Sequence, residues 1–119
     1  VNAKNPFKKQ RLEERILFEL NRVLRTETAD SRLNNVTITK VDVNRDYSLA
    51  EVYWDTFDNS KRGDAKEAIG GMTKRLKSIL AKTLEIRKVP NLVFKYDAQF
   101  EAEKKIMELL NAEKNKSDE

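Results

Sequence analysis

The stretch VTITKVDVNRDYSLAEVYWDTF, Val36 to Phe57, decides the fold class of this chain. Val36-Thr37-Ile38-Thr39-Lys40-Val41-Asp42-Val43 is rich in β-branched residues, which suit a pleated surface, and predicts a strand. Its period is broken: Val36, Ile38 and Lys40 share one parity, Val41 and Val43 the other. Asn44-Arg45-Asp46-Tyr47 has turn chemistry and leads into a second strand, Leu49 to Phe57. There Ala50, Val52 and Trp54 lie on one face, with Glu51, Tyr53, Asp55 and Phe57 on the other. So short a connection favours an antiparallel pair.

Helical patterns flank this hairpin. Upstream, Asn5-Pro6 offers a cap and a first-turn proline, and Leu12, Ile16, Leu20, Val23 and Leu24 recur at three- and four-residue spacings. They predict an amphipathic helix from about Pro6 to Thr26, followed by a polar turn over Thr28 to Asn35. Downstream of a polar loop from Asp58 to Gly63, Asp64 is placed to cap a second helix. Ala65, Ala68, Ile69, Met72, Leu76, Ile79, Leu80 and Thr83 trace its apolar face. Gly70-Gly71 interrupts it, each glycine costing about 1 kcal/mol of helix propensity relative to alanine. The stripe resumes in phase, so two helical segments joined by a tight bend are expected.

Lys88-Val89-Pro90 restrains the backbone before a third strand, Asn91 to Tyr96, with Leu92, Phe94 and Tyr96 alternating against Val93 and Lys95. Asp97 is a candidate cap for a last helix carrying Ala102, Ile106, Leu109 and Leu110 on one face. The tail beyond Ala112 is expected to fray. The order helix, strand, strand, bent helix, strand, helix predicts a single two-layer α+β domain over residues 1–112, with a flexible tail at 113–119, because three strands need helices to cover them.

Composition narrows the chemistry. The 119 residues contain no cysteine and no histidine, which removes disulfides, thiolate chemistry and the commonest base near neutral pH. Ser60, Ser78, Thr37 and Thr39 have no recognisable activating base, and Asp55 and Asp58 are better explained by turns and caps than by a magnesium site. Neither catalysis nor a cofactor or metal is expected. No stretch approaches the roughly 20 apolar residues that cross a bilayer, and no signal-peptide pattern opens the chain.

What remains is charge. Lys plus Arg number 24 against 20 Asp plus Glu. On the bent helix Lys66, Lys74, Lys77 and Lys82 lie mainly away from the apolar stripe, with Arg75 at its flank. Lys61 and Arg62 precede the helix, and Arg87 and Lys88 follow it. Long cationic side chains over one surface can contact many phosphates with little base selectivity, which suits a nucleic-acid partner, and these are the candidate RNA-binding residues. Further basic contacts are expected at Lys8, Lys9, Arg11, Arg15 and Arg45. The competing explanation is an ordinary solvated face. Tyr47 and Tyr53 are the aromatics best placed to stack on bases, whereas Trp54 reads as core.

Several segments together resemble the ribosome-binding factor A family, over roughly Arg11 to Leu110. Asp30-Ser31-Arg32-Leu33 is similar to its Asp-Pro-Arg-Leu turn, and Val36-Thr37-Ile38, Val41, Asp46 through Ala50 and Val52-Tyr53 follow in the family's order. Ala68-Ile69-Gly70 resembles its Ala-x-Gly helix bend, and Val89-Pro90, Leu92, Phe94 and Asp97 its Val-Pro-Glu-Leu-x-Phe-x-x-Asp segment. Ser31, Asn91 and Thr73 depart from the pattern, Thr73 standing where the family often has arginine.

The resemblance implies a KH-like (type II) domain acting as a cytoplasmic monomer on the free or immature 30S ribosomal subunit. It also implies contact with 16S rRNA, help in late processing or folding of its 5′ region, and a link to growth in the cold. A general KH-like nucleic-acid binder and a protein-binding adaptor are the alternatives.

Overall fold

The computed structural model describes residues 7–117. Helix α1 spans Lys8–Thr26, strands β1 and β2 span Val36–Val43 and Leu49–Thr56, and helix α2 spans Arg62–Leu84. Strand β3, Asn91–Tyr96, and helix α3, Ala98–Ser117, complete the α+β fold. Short 3-10 turns at Ser31–Leu33 and Asn59–Lys61 precede β1 and α2. The Asn5-Pro6 cap expected for α1 lies outside the described residues. α3 continues past Ala112, where fraying is expected, to Ser117.

The strands form a mixed sheet in the order β1-β2-β3, antiparallel between β1 and β2 and parallel between β2 and β3. The broken period of β1 has a structural cause. Ile38 pairs with Trp54 and Lys40 with Tyr53, so Thr39 is an extra residue that forms a β-bulge. The bulge restores the inward direction after the parity change, and Val36, Ile38, Val41 and Val43 are all buried. They join Ala50, Val52, Trp54 and Leu92 beneath α1 and α2. Ile16, Leu20, Val23 and Leu24 of α1 and Ala65, Ala68, Ile69, Leu76, Leu80 and Leu84 of α2 complete the core.

The hairpin turn is held by Asn44, whose side-chain oxygen accepts hydrogen bonds from the amides of Ser48 and Leu49, both at 3.0 Å. Tyr47 adopts φ 63° there, a left-handed conformation that the turn's hydrogen bonds sustain.

One expectation is corrected. α2 is an unbroken α-helix through Gly70-Gly71, not two segments joined by a tight bend, and neither glycine has positive φ. The helix-propensity cost of two glycines is real. It is exceeded by the burial of apolar residues on both sides of them, in one continuous phase against the sheet.

The outer edge of β1 is closed by α1. The Asn21 amide donates to the Ile38 carbonyl at 3.1 Å and accepts from the Ile38 amide at 2.8 Å. Glu13 accepts from the Val43 amide at 2.8 Å. Helix side chains thereby satisfy strand groups that have no neighbouring strand, one way of protecting a sheet edge.

Two predictions follow from this packing. Asn21→Ala leaves both backbone groups of Ile38 without their partner and is expected to cost about 1–3 kcal/mol, measured by urea unfolding. At Gly71 an added Cβ meets nothing within 4 Å, so Gly71→Ala is expected to raise stability by about 0.5–1 kcal/mol in the same experiment.

Candidate nucleic-acid interface

At 100° per residue, the cations of α2 spread over roughly half the helix circumference and do not form one row. Arg62, Lys66 and Lys77 lie on the flank facing β3, Lys74 on the outer crest, and Arg75 and Lys82 on the flank toward α1. Arg75 donates through Nη2 to the Glu27 carbonyl just past α1, at 3.0 Å, tying the two helices together. Lys66, Lys74 and Lys82 are exposed. Ala68 and Ile69 of the helix motif are buried in the core, and only Gly70 of the three reaches the surface.

A groove of about 680 Å³ runs between α2 and β3. Arg62, Lys66, Gly70 and Thr73 line its helical side, and Ile69, Leu92 and Phe94 contribute apolar surface. Polar contacts bracket it at both ends. The Arg62 guanidinium stacks 3.7 Å from the centroid of the Tyr96 ring, and Lys77 donates to the Asn91 side-chain oxygen at 2.6 Å. The Thr73 hydroxyl donates back to the Ile69 carbonyl at 3.1 Å, and this side chain brings no charge to the groove.

The remaining cations are placed elsewhere. Lys8, near the start of α1, sits 5.7 Å from the Tyr47 ring, and the charge of Lys88 reaches Asp46 in the same hairpin turn. Arg45 is exposed on that turn, so Lys8, Arg45 and Lys88 gather at one end of the sheet, with Arg87 beside Lys88. Hydrogen bonds from Ser48, more than Lys88, hold the Asp46 carboxyl below its usual range. Lys9 pairs with Asp42 at 3.6 Å and with Glu13 at 3.8 Å. Arg11 and Arg15 flank exposed Phe18 on the outer side of α1, and Lys61 lines a cleft with Ser31, Arg32 and Asp64. The predicted basic residues thus form an α2 ridge and a hairpin-end group, with the rest dispersed.

Sequence reading missed a buried polar cluster beside the groove. Asp55 is only 5% exposed, accepts from the Tyr96 hydroxyl at 2.9 Å and pairs with Lys104 of α3 at 2.6 Å. Burial, then the bond to Asp55, raises the Tyr96 phenol above its ordinary pKa and keeps it a donor. Tyr96 also meets Trp54 edge to face at 5.1 Å. No periodicity could reveal this, because Lys104 falls among ordinary helix charges and finds Asp55 only across the fold. On the opposite sheet face Tyr53 lies beneath Lys40 at 5.5 Å, while Lys95 pairs with Glu51 and lowers the carboxyl's pKa.

Among the described residues, no acidic cluster is arranged to hold a metal ion, and no helix is long and apolar enough to cross a membrane. Asp58 accepts from the Ser60 amide at 3.0 Å and caps the turn before α2.

Residues 8–110 match the family model described as ribosome-binding factor A. The ribosome-binding factor A of Lactobacillus johnsonii is 38% identical over 111 residues, covering 92% of this chain and 90% of the relative. The crystal structure of ribosome-binding factor A from Thermus thermophilus superposes with a TM-score of 0.65 at 27% identity, over 74% of this chain and 93% of that one. A homology model of the Thermus thermophilus factor, fitted into the cryo-EM map of a 30S complex, superposes with a TM-score of 0.52 at 28% identity. That match covers 68% of this chain and 90% of the other.

Removing one partner from the Asp55 cluster tests its role. Lys104→Met leaves a buried carboxylate with the Tyr96 hydroxyl alone and is expected to cost about 3 kcal/mol in urea unfolding, with Asp55→Asn in the same chain recovering part of it.

Proposed function

Because this chain belongs to the ribosome-binding factor A family, we propose that it binds the free or immature 30S ribosomal subunit and contacts 16S rRNA while that particle matures. The observation that carries this reading is the likeness to the Thermus thermophilus factor that was fitted into a 30S complex. The chain acts as a cytoplasmic monomer through its KH-like domain, residues 1–112, assisting late processing or folding of the rRNA 5′ region during growth in the cold.

Lys66, Lys74 and Lys82 on the α2 ridge, with Lys8, Arg45, Arg87 and Lys88 at the hairpin end, supply mobile cations to phosphates. Such contacts position a particle on RNA without reading its bases. No covalent step is needed. A surface that fits one rRNA conformation better than another shifts their populations by the difference in binding free energy. The alternative, a protein-binding adaptor, is favoured by α3, where Ile106, Met107, Leu109 and Leu110 are each more than half exposed.

Sedimentation with purified 30S, 50S and 70S particles at several salt concentrations separates these readings. Saturable, 30S-preferring association that weakens with salt is expected. The combined Lys66→Ala, Lys74→Ala and Lys82→Ala variant should bind about tenfold or more weakly with a shallower salt slope. Equal association with all three particles sinks the 30S assignment and leaves a general nucleic-acid binder, and binding indifferent to salt and to these lysines sinks the RNA reading.

A further inference from the structure

The two edges of the sheet are treated differently. α1 closes the outer edge of β1 through Asn21 and Glu13. The outer edge of β3 has no such cover. The amides of Asn91 and Asp97 donate inward to the carbonyls of Ser48 and Trp54, at 2.9 and 2.8 Å. In a parallel ladder successive residues alternate between the two sides, so Leu92, Phe94 and Tyr96 turn their N–H and C=O groups outward. Among the described residues nothing hydrogen-bonds to those backbone groups, and β3 has no second strand neighbour. They border the groove beside α2.

We propose that this groove accepts an extended, acid-ended polypeptide segment as a fourth strand paired to β3. Three outward N–H and C=O pairs recur every second residue, at about 6.6 Å, which is the spacing an added strand presents in return. Half-buried Phe94 supplies apolar surface for the inward side chains of that strand, over a floor formed by the buried Leu92 and Ile69. Gly70 leaves room on the helical wall, where an added Cβ would have nothing within 4 Å. Arg62 and Lys77 stand on α2 at the two ends, about 22 Å apart along the helix axis, close to the span of seven extended residues. Each rests on a neutral partner, the Tyr96 ring and the Asn91 amide, which a carboxylate can replace.

A ribose-phosphate strand fits less well. α2 is continuous through Gly70 and Gly71, so the backbone amides there are spent within the helix and offer no cradle for phosphate. Lys66 lines the groove, but Lys74 and Lys82 lie outside it and stay free when it is filled, so the two activities are separable through those two lysines.

The test uses the whole chain, isotope-labelled, with the capped peptide Glu-Thr-Val-Thr-Val-Thr-Glu followed by NMR and amide hydrogen exchange. Saturable binding with slowed exchange at Leu92, Phe94 and Tyr96 is expected. N-methylation of the peptide's central amides, or lysine in place of both glutamates, should weaken binding at least tenfold. Gly70→Leu, which fills the groove, should abolish binding, whereas Gly71→Leu, off the groove, should not.

Four results overturn the proposal. One is no protection at the three amides, and another is equal binding of the N-methylated peptide. The third is protection of these amides by hexauridylate in place of the peptide, which assigns the groove to RNA. The fourth is concentration-dependent protection without any peptide, which assigns it to a second copy of the chain.

Discussion

The parallel pairing of β3 with β2 governs the rest of the molecule. Antiparallel neighbours can be joined by a turn, as β1 and β2 are, but parallel neighbours require the chain to travel back along the sheet before the next strand begins. α2 is that return path. Its apolar stripe must therefore lie on the sheet, and its cations are pushed to the outer half of the helix. Its first turn and the turn that carries Lys77 come to rest beside the two ends of β3, where Arg62 meets Tyr96 and Lys77 meets Asn91. The groove is a consequence of this arrangement: a helix that spans a three-stranded sheet from one edge strand leaves a channel along that edge.

The second organising feature is the bulge at Thr39. An extra residue in β1 allows apolar side chains of both parities to face the core, and it also sets the Thr39 hydroxyl in position to donate to Asp97 at 2.6 Å. Asp97 uses its other oxygen to accept from the Phe100 amide at 2.9 Å, capping α3. One carboxylate thereby links the irregularity of the first strand to the start of the last helix. The Asp55–Lys104 pair adds a second tie a turn or two further along. Both ties lie in the first turns of α3, and Ile106, Met107, Leu109 and Leu110 beyond them are exposed.

Electrostatics at the surface divides along the same lines. Cations that bridge elements, such as Arg75 to the end of α1 or Lys104 to Asp55, serve the fold, and their charges are compensated by local acceptors. Lys66, Lys74 and Lys82, on the exposed arc of α2, keep long mobile side chains in water, the form in which lysine contacts phosphate at small cost in order. A charge count sees both groups alike. Only the partner each side chain finds separates scaffold from binding surface.

The amino-acid sequence by itself determined the elements and the face each presents. The β-branched run at Val36–Val43, the alternation in Leu49–Thr56 and the helical stripes are local periodicities, and burial rewards them wherever the chain goes. It also carried the family resemblance, which depends on ordered short motifs. Tertiary structure decided the rest. Thr39 becomes a bulge because both valine parities must reach one core, and α2 stays whole across two glycines because burial on either side outweighs their propensity. The Asp55–Lys104–Tyr96 cluster and the open edge of β3 arise from contacts between residues far apart in sequence. Pattern reading sees a residue's neighbours along the chain, whereas a hydrogen bond or an uncovered strand edge depends on neighbours in space.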